Sequence, residues 1–450
     1  MSTAEWRARA RIDPLIPEAR RRQRRRQVAI LALLAIAVAA ILSSLLLLRG
    51  GDPAGGVSSR PATRAPLYAI LSSNHGKTVR TSGGSYATLP APARIVRLDP
   101  QTLRPEQGAL AIGRFGGGTF VSPDRTRAAL ASHGNLRLVD LRRLRIERTV
   151  TLGPARDTMI RDVAWVGPHR LFAMVQQQSL PYFRNVLARR LVLIDVSTGR
   201  VLRRWPLTNK LALDGSGAAA GRYALVLRNS SLKGSSIRLV VATPAGLRTA
   251  TIGVGKSHGA VRQTTFTIEP DGRRAFLFLS GGSIFTVDLR TLRVARHHLA
   301  PLATAWAVSG IPAGNRTLVV SGSTATGSTL LGSGVYVVDT GTWSTRLLDR
   351  NATWATYANG VVLTSGPAGA IRPWQSRGYG VSAFKLDGTK LYHVLGNRAV
   401  YVVSAPGRRV LAFRPLGRGL SNRQQWIAFD LRTGKNLVAV ARTGSTTILG

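Results

Sequence analysis

The chain of 450 residues contains no cysteine and few acidic residues. The absence of cysteine excludes disulfides, cysteine-ligated zinc, iron–sulfur clusters and thiol catalysis. Only 20 residues are Asp or Glu, against 63 Lys and Arg, so the formal net charge is +43. Because acid–base enzymes use carboxylates or histidines that are free of structural duties, this composition disfavours that class of chemistry.

What the chain does have is apolar residues and arginine. Apolar residues make up 44% of the sequence, which is enough to bury a core and excludes wholesale disorder. Of the basic residues, 56 are Arg and 7 are Lys. A charge of this size attracts nucleic acid, phospholipid headgroups and acidic cell-wall polymers alike, and the arginine excess also accompanies GC-rich codon usage.

An uncharged apolar stretch near the N-terminus predicts a membrane anchor. It runs from Val28 to Leu48 and, as a helix, would span about 30 Å, the thickness of a bilayer core. Residues 20–26 are almost all Arg, whereas only Arg49 follows the stretch. The positive-inside rule therefore places residues 1–27 in the cytoplasm and the rest outside. A cleaved signal peptide, the alternative, has a shorter apolar region of about 7–15 residues.

Residues 49–65 predict a flexible linker. Gly, Ser, Pro and Ala dominate this segment and no apolar period appears in it. Such a segment reaches very roughly 20 Å. The expected molecule is thus a single-pass membrane protein with a cytoplasmic tail and an extracytoplasmic domain at residues 66–450.

One pattern recurs throughout that domain: a strand, an Asp turn ending in a basic residue, and a second strand. Six clear copies are ARIVRLDPQTLRP, GNLRLVDLRRLRIERTVTL, RRLVLIDVSTGRVLRRWPL, GSIFTVDLRTLRVARHHL, SGVYVVDTGTWSTRLLD and QWIAFDLRTGKNLVAV. In two weaker copies Ala242 and Leu386 replace the Asp. The copies are about 47 residues apart on average, close to the length of a four-stranded propeller blade.

The Asp in these turns has a local structural role. In five copies a Thr follows three residues later, as in Asp195 and Thr198. A short Asp side chain accepts hydrogen bonds from backbone N–H groups ahead of it, and Thr adds a hydroxyl. This pattern predicts a hairpin rather than a metal or catalytic site.

The segments VLIDVSTGRVL and IAFDLRTGKNL resemble the YVTN-type repeats of bacterial surface propellers and the PQQ-type repeats of quinoprotein dehydrogenases and outer-membrane-assembly lipoproteins. The resemblance covers nearly all of residues 66–450. It implies an all-β, WD-like fold, a seven- to eight-bladed β-propeller. Eight blades is the literal count; seven results if Leu67 to Leu71 joins the last blade. A PQQ enzyme would also need a Ca²⁺ site of several oxygen ligands, and the sequence has no acidic cluster to supply it.

Two insertions carry the candidate binding residues. One begins at Gln176 and the other at Gly366, and each lengthens a connection between strands. Aromatic and Arg side chains on loops are common anchors of binding faces. The candidates are Tyr182, Phe183, Arg184, Arg372, Trp374, Arg377 and Tyr379.

No catalytic, metal or cofactor site is predicted. His297 and His298 are adjacent on a predicted strand, so their side chains point to opposite faces and do not readily share a metal ion. Asp157 and Asp162 are expected to form ion pairs with their arginine neighbours. Residues 255–259 match G-x-S-x-G, but a strand-like segment rather than a helix follows, contrary to a nucleophile elbow.

Three functions remain open at this stage. The first is a non-catalytic binding or scaffold module in the cell envelope, whose partner is a protein or an anionic envelope polymer. The alternative is a propeller-type enzyme: a hydrolase, a lyase or a quinoprotein-like protein. A nucleic-acid binder is permitted by the charge but disfavoured by the predicted outward topology. The sequence does not determine the oligomeric state.

Overall fold

The computed structural model describes residues 66–72, 78–80, 86–88, 92–114, 117–178, 186–229, 236–254, 264–326, 329–370, 377–396, 398–404, 407–416, 423–435, 437–443 and 446–449. The predicted tail, membrane span and linker lie outside these residues. Within them, no helix has the length and apolar character needed to cross a membrane.

The described chain is almost entirely β-structure, with two 3-10 turns at Ser280–Gly282 and Ala300–Leu302. The first strands are β1 (Leu67–Ser72), β2 (Thr78–Arg80), β3 (Tyr86–Thr88), β4 (Pro92–Leu98), β5 (Pro105–Arg114), β6 (Thr119–Val121), β7 (Arg127–Ala131), β8 (Asn135–Asp140), β9 (Arg145–Thr151), β10 (Thr158–Trp165), β11 (Arg170–Gln178), β12 (Val186–Asp195), β13 (Val201–Leu207), β14 (Leu211–Ala219), β15 (Arg222–Asn229), β16 (Ser236–Thr243) and β17 (Gly246–Gly253). The remainder are β18 (Thr264–Ile268), β19 (Arg274–Leu279), β20 (Ser283–Asp288), β21 (Val294–His298), β22 (Ala307–Pro312), β23 (Thr317–Thr326), β24 (Thr329–Asp339), β25 (Thr345–Asp349), β26 (Trp354–Ala358), β27 (Val361–Ala370), β28 (Arg377–Lys385), β29 (Lys390–Val394), β30 (Tyr401–Ser404), β31 (Arg409–Pro415), β32 (Arg423–Asp430), β33 (Val438–Thr443) and β34 (Thr446–Leu449).

Antiparallel pairing groups 32 of these 34 strands into eight blades of four, and β2 pairs with β3 in a separate two-stranded sheet. From the centre outwards, blade 1 is β34-β1-β4-β5, blade 2 is β6 to β9, and blades 3 to 8 follow in order up to β30 to β33. The first strands of successive blades approach one another and so surround the central axis. The fold is therefore an eight-bladed β-propeller. Of the seven or eight blades expected from the sequence, eight is confirmed.

The ring closes through the two ends of the described chain. Strand β1 pairs with β34, with Tyr68 opposite Leu449. The first segment thus belongs to blade 1, whose innermost strand comes from the C-terminal end. Because the last blade already has four strands of its own, this closure leaves the count at eight rather than seven.

Apolar side chains pack between blades, not within them. Among the described residues the buried apolar side chains form eight clusters, one for each interface between neighbouring blades. In β15, Tyr223 and Leu225 pack toward blade 3, whereas Ala224 and Val226 pack toward blade 5. Both faces of each blade are buried, which explains strands that are apolar at nearly every position.

Each repeat turn joins the third and fourth strands of one blade, including the two turns that lack the Asp. Because strands alternate in direction, these hairpins share one face of the ring with the turns between first and second strands. We call this the hairpin face. The opposite side, the loop face, holds the connections between second and third strands and those between blades.

Candidate functional site

The described ends of both predicted insertions lie on the loop face. The first connects β11 to β12 in blade 3, and the second connects β27 to β28 in blade 7. Tyr182, Phe183, Arg184, Arg372 and Trp374 fall outside the described residues. The fold nevertheless brings the two predicted binding segments to the same side of the ring, which their spacing in the sequence did not show.

Arg377 and Tyr379 are at the described edge of the second insertion. Arg377 is the first residue of β28 and lies opposite Ala368 of β27. Tyr379 is half-buried, with its ring 5.7 Å from that of His393. Burial raises the pKa of the Tyr379 hydroxyl, and the nearby Asp349 carboxylate raises it further.

A polar network joins blades 6 and 7 around Tyr379. Asp349, at the end of β25, is buried and accepts a hydrogen bond of 2.6 Å from the Thr364 hydroxyl. Ser382 Oγ lies 2.8 Å from Nδ1 of the exposed His393. Burial lowers the pKa of His393, as does the charge of Lys390. Because Ser382 is fully buried, this Ser–His pair offers no accessible nucleophile.

The backbone fixes the second insertion at its C-terminal end. A Cβ at Gly378 would lie 1.3 Å from the carbonyl carbon of Arg398, so only glycine fits there. The Gly380 N–H donates a 3.0 Å hydrogen bond to the carbonyl oxygen of Arg398. The described C-terminal end of the insertion is therefore packed closely against the backbone of Arg398.

The strands of blades 6 and 7 extend past the ring on this face and pair with each other. Thr329 and Leu330 of β24 lie opposite Ala370 and Gly369 of β27. This bridge merges the two blades into one eight-stranded sheet. The pairing lies at the N-terminal, described end of the second insertion.

Two arginines of blade 3, Arg161 and Arg189, lie next to the described ends of the first insertion. The buried Arg189 donates from Nε to the Gln176 side chain at 3.2 Å and from Nη1 to the Asn209 carbonyl at 3.3 Å. Burial lowers the pKa of Arg189, and the charge of the exposed Arg161 lowers it further. Arg161 is the bulged residue of β10. No motif in the sequence identifies this pair, because a bulge and the register between two strands bring the two arginines together.

On the hairpin face the repeated aspartates form the turns that the sequence predicts. Asp195 Oδ1 accepts hydrogen bonds from the N–H of Thr198 at 2.8 Å and from its hydroxyl at 3.0 Å. These bonds lower the pKa of Asp195. Gly199, next in the turn, has φ +72°, the left-handed conformation that glycine adopts readily. The same lowering of the carboxyl pKa occurs at Asp99, Asp288, Asp339 and Asp430.

Arginines bridge neighbouring blades by donating to backbone carbonyls. On the hairpin face Arg222 Nη1 donates to Gly272 O at 2.8 Å, from blade 4 to blade 5. At the outer strands Arg137 Nη1 donates to Ile112 O at 2.8 Å and Arg203 Nη1 to Ala245 O at 2.8 Å. The other guanidiniums that donate to a backbone carbonyl of a neighbouring blade are those of Arg190, Arg248, Arg274, Arg409 and Arg442.

These bridging bonds leave the positive charges in place, because a carbonyl is a neutral acceptor. Seven ion pairs occur between side chains of the described residues. The exposed basic residues of the hairpin face are Arg104, Arg142, Arg143, Arg145, Arg170, Arg200, Arg248, Arg273, Arg290, Arg293, Arg316, Arg346, Lys385, Lys390, Arg408, Arg432 and Lys435. This face is therefore strongly cationic.

Comparison with solved structures supports the propeller fold. The structure of dihydro-heme d1 dehydrogenase NirN in complex with DHE matches with a TM-score of 0.54 and 14% identity, over 88% of this chain and 79% of that one. The β-propeller domain of Myceliophteria thermophila Cps50 (Swd1) matches over 82% of this chain and 98% of that one, with 11% identity. Its TM-score of 0.39 is too low for a structural argument. No family model and no curated protein matches the sequence.

The two adjacent histidines lie on strand β21. His297 stacks on Trp343 with ring centroids 3.6 Å apart, and it points away from the exposed His298. No group of three or more metal-ligating side chains occurs in the described part of the chain. The G-x-S-x-G match at 255–259 lies outside that part.

Asp157 and Asp162 do not form the expected ion pairs. Asp162 is buried and accepts a 2.5 Å hydrogen bond from the Tyr223 hydroxyl of blade 4. Asp157 accepts hydrogen bonds from Thr158 at 3.0 Å and Gln177 at 3.2 Å. Both carboxylates thus hold strands together, because the folded ring brings hydroxyl and amide donors closer to them than the adjacent arginines.

Proposed function

We propose that this chain is a membrane-anchored, extracytoplasmic β-propeller that binds a partner on its loop face and performs no chemistry itself. The observation that carries the proposal is that both aromatic- and arginine-bearing insertions emerge on one face. One of them rises from the paired extensions of blades 6 and 7. A rigid platform of this kind presents variable segments without paying to order the scaffold during binding.

The partner on this face carries negative charge. Arg161 and Arg189 lie next to the described ends of the first insertion, and the charge of Arg161 disfavours the charged state of Arg189. An anionic group between them would relieve that repulsion. A protein with an acidic surface and an anionic envelope polymer both supply such a group, and the net charge of +43 favours either over a basic ligand.

Binding rather than catalysis is proposed because most of the described acids are held in turns or bonded between strands. The repeated aspartates accept backbone N–H bonds in turns, and Asp349, Asp157 and Asp162 join strands or blades. A general acid or base needs a carboxylate that can reach a substrate. The likeness to NirN shows the fold alone at 14% identity and adds no reaction to this chain.

The loop face is tested by capture of a partner from native membranes. Full-length wild type and the double variant Trp374→Ala/Arg377→Ala are purified with whatever binds them, and the captured species is quantified. We expect at least a tenfold loss in the variant, since aromatic and Arg anchors dominate interfaces. The control variant Arg290→Gln/Arg293→Gln, on the hairpin face, should capture as much of this species as the wild type. Equal recovery with the loop-face variant and wild type would refute this face.

The topology is tested with single cysteines, because the natural chain has none. A cysteine replacing Gln101 in the propeller should react with a membrane-impermeant maleimide on intact cells. A cysteine replacing Ser2 should react only after lysis. The reverse pattern, or equal reaction at both positions, would overturn the proposed orientation.

A further inference from the structure

The chain enters the propeller on its hairpin face. Leu67, the first residue of β1, lies opposite Leu98, which directly precedes the Asp99 hairpin. The C-terminal strand ends at the same level, with Leu449 opposite Tyr68. Everything that precedes residue 66, including the proposed anchor, is therefore attached to the hairpin face at blade 1.

The hairpins on either side of this entry point are rich in exposed arginine. They contribute Arg104 from blade 1, Arg142, Arg143 and Arg145 from blade 2, and Arg408 and Arg432 from blade 8. The three blades form one continuous edge: Arg409 of blade 8 donates to the Pro100 carbonyl of blade 1, and the charge of Arg142 reaches Tyr68. We call this surface the tether edge.

The acids of the tether edge do not cancel its charge. Arg143 lies 3.8 Å from Asp140 and Arg408 lies 3.4 Å from Asp430, whereas Asp99 accepts backbone N–H bonds. Arg104, Arg142, Arg145 and Arg432 have no acidic partner within ion-pair distance among the described residues. The edge keeps a positive excess at neutral pH.

Apolar side chains flank these arginines. Ile146 follows Arg145 at the start of β9 and is 38% exposed, and Leu437 precedes β33 in blade 8 and is 43% exposed. A basic surface with isolated exposed aliphatic side chains suits the headgroup region of a bilayer, where charge meets lipid phosphate and aliphatic groups reach the acyl boundary.

We propose that the tether edge docks on the anionic headgroups of the membrane that anchors the chain. The inference rests on the proposed function, which supplies the anchor. The predicted linker, residues 49–65, reaches roughly 20 Å, so the edge attached to it stays near the bilayer. At that range the effective concentration of headgroups is high. Salt screens charges over about 8 Å, so arginines that touch the headgroups are still attracted to lipid phosphate. Docking would turn the loop face away from the membrane and toward a partner.

The test uses the full-length chain in vesicles of phosphatidylcholine alone or with about one third phosphatidylglycerol. A fluorophore is attached to a single cysteine, either Gln101→Cys on the hairpin face or His133→Cys on the loop face of blade 2. Quenching by nitroxide-labelled headgroups then reports distance from the bilayer. We expect the label at 101 to be quenched several-fold more in anionic than in neutral vesicles, and the label at 133 to respond to neither.

Variants locate the contact. Arg142→Gln/Arg143→Gln/Arg145→Gln should abolish the extra quenching at 101, as should high salt. The matched control Arg290→Gln/Arg293→Gln lies in the same type of hairpin in blade 5, across the ring, and should retain it. Equal loss from both variants, or equal quenching at 101 and 133, would overturn docking by the tether edge.

Flotation separates this inference from the anchor. A chain that floats with neutral vesicles at high salt is anchored, and absence of quenching at 101 would then overturn docking alone. A chain that floats only with anionic vesicles, with quenching at 101, would support docking and refute the anchor. If the blade 2 variant lost binding to soluble polyphosphate but kept the extra quenching in anionic vesicles, the surface would be assigned to a polymer. That result would overturn the membrane proposal.

Discussion

At the scale of single residues, the hairpins depend on one acceptor atom. In blade 5, Asp288 Oδ1 accepts bonds from the N–H groups of Arg290 at 2.9 Å and Thr291 at 2.6 Å. The hydroxyl of Thr291 adds a third bond at 3.0 Å. Because these donors lie at the tip of a turn, no strand partner can satisfy them, and the carboxylate fixes the turn locally.

Replacing Asp288 with Ala should lower the free energy of unfolding by about 1 kcal/mol at neutral pH, since two N–H donors lose their acceptor. The pKa of Asp288 is lowered by these bonds. Its contribution is therefore present above the unfolded-state pKa and lost as pH falls through the lower folded-state value. Urea unfolding at several pH values checks this. Asp288→Asn keeps an acceptor and should lose less; equal losses would contradict the assignment.

Asp214 has the opposite pH dependence. It is the bulged residue of β14 and lies 3.2 Å from Arg228, with Oδ2 unbonded in the described part of the chain. Burial raises its pKa to about 6, and the Arg228 charge opposes that rise only in part. The native state thus holds the proton more tightly than the unfolded state.

Stability should consequently fall as pH rises from about 4 to 6, by roughly 2–3 kcal/mol for this group. Asp214→Asn cannot ionise and should lack that decline. The measurement is the free energy of unfolding at pH 4.5 and 7.5 for both proteins. Asp387→Asn, in an exposed turn, is the control. If the free energy of unfolding of Asp214→Asn fell between pH 4.5 and 7.5 as much as that of the wild type, this carboxyl would not be the source of the decline.

At the scale of elements, arginine holds adjacent blades together. Arg274, at the start of β19, donates from Nε and Nη2 to the buried Glu269 at 2.9 and 2.6 Å. The same Nη2 reaches Asn315 O and Thr340 Oγ1 in blade 6, at 2.5 and 3.2 Å. One planar guanidinium thereby forms an ion pair within blade 5 and donates hydrogen bonds to blade 6 at the same time. A lysine ammonium lacks the fork of donors needed to form both sets of bonds.

Arg274→Gln should destabilise the protein by about 3 kcal/mol, because Glu269 is only 2% exposed and would be left as a buried unpaired carboxylate. Burial already raises the pKa of Glu269. The variant should recover part of the lost stability in acid, where that carboxyl is protonated. Thermal unfolding measures both effects. The double variant Glu269→Gln/Arg274→Gln should be more stable than Arg274→Gln alone; if it is not, the pairing explanation fails.

At the scale of the whole molecule, the ring depends on a closure between distant parts of the chain. Blade 1 takes β34 from residues 446–449 and its other three strands from residues 67–114. The interface between blades 8 and 1 then buries Leu67, Val96, Leu411 and Trp426 in one cluster. The closing pairing removes the free edge that an open ring would expose.

Deleting residues 446–450 should therefore open the ring at blade 1. The lost strand contributes Leu449, which is 3% exposed and packs with Tyr68 between blades 1 and 2. We expect a lower midpoint of thermal unfolding by several degrees and self-association through the exposed edge of β1, seen by light scattering. Adding the peptide back should reverse both. A monomer with an unchanged midpoint would show that closure is not needed.

The sequence by itself determined the all-β class, the repeat, its length and the chemistry of the Asp hairpin, because these depend on contacts within a few residues. Tertiary structure alone decided the eight-blade count, since the role of Leu67–Ser72 depends on pairing with residues at the far end of the chain. It also decided the placement of both insertions on one face, the use of arginines as bridges between blades, and the partners of Asp162 and Asp349. Those contacts join residues from 15 to more than 300 positions apart, and no local sequence pattern specifies such pairings.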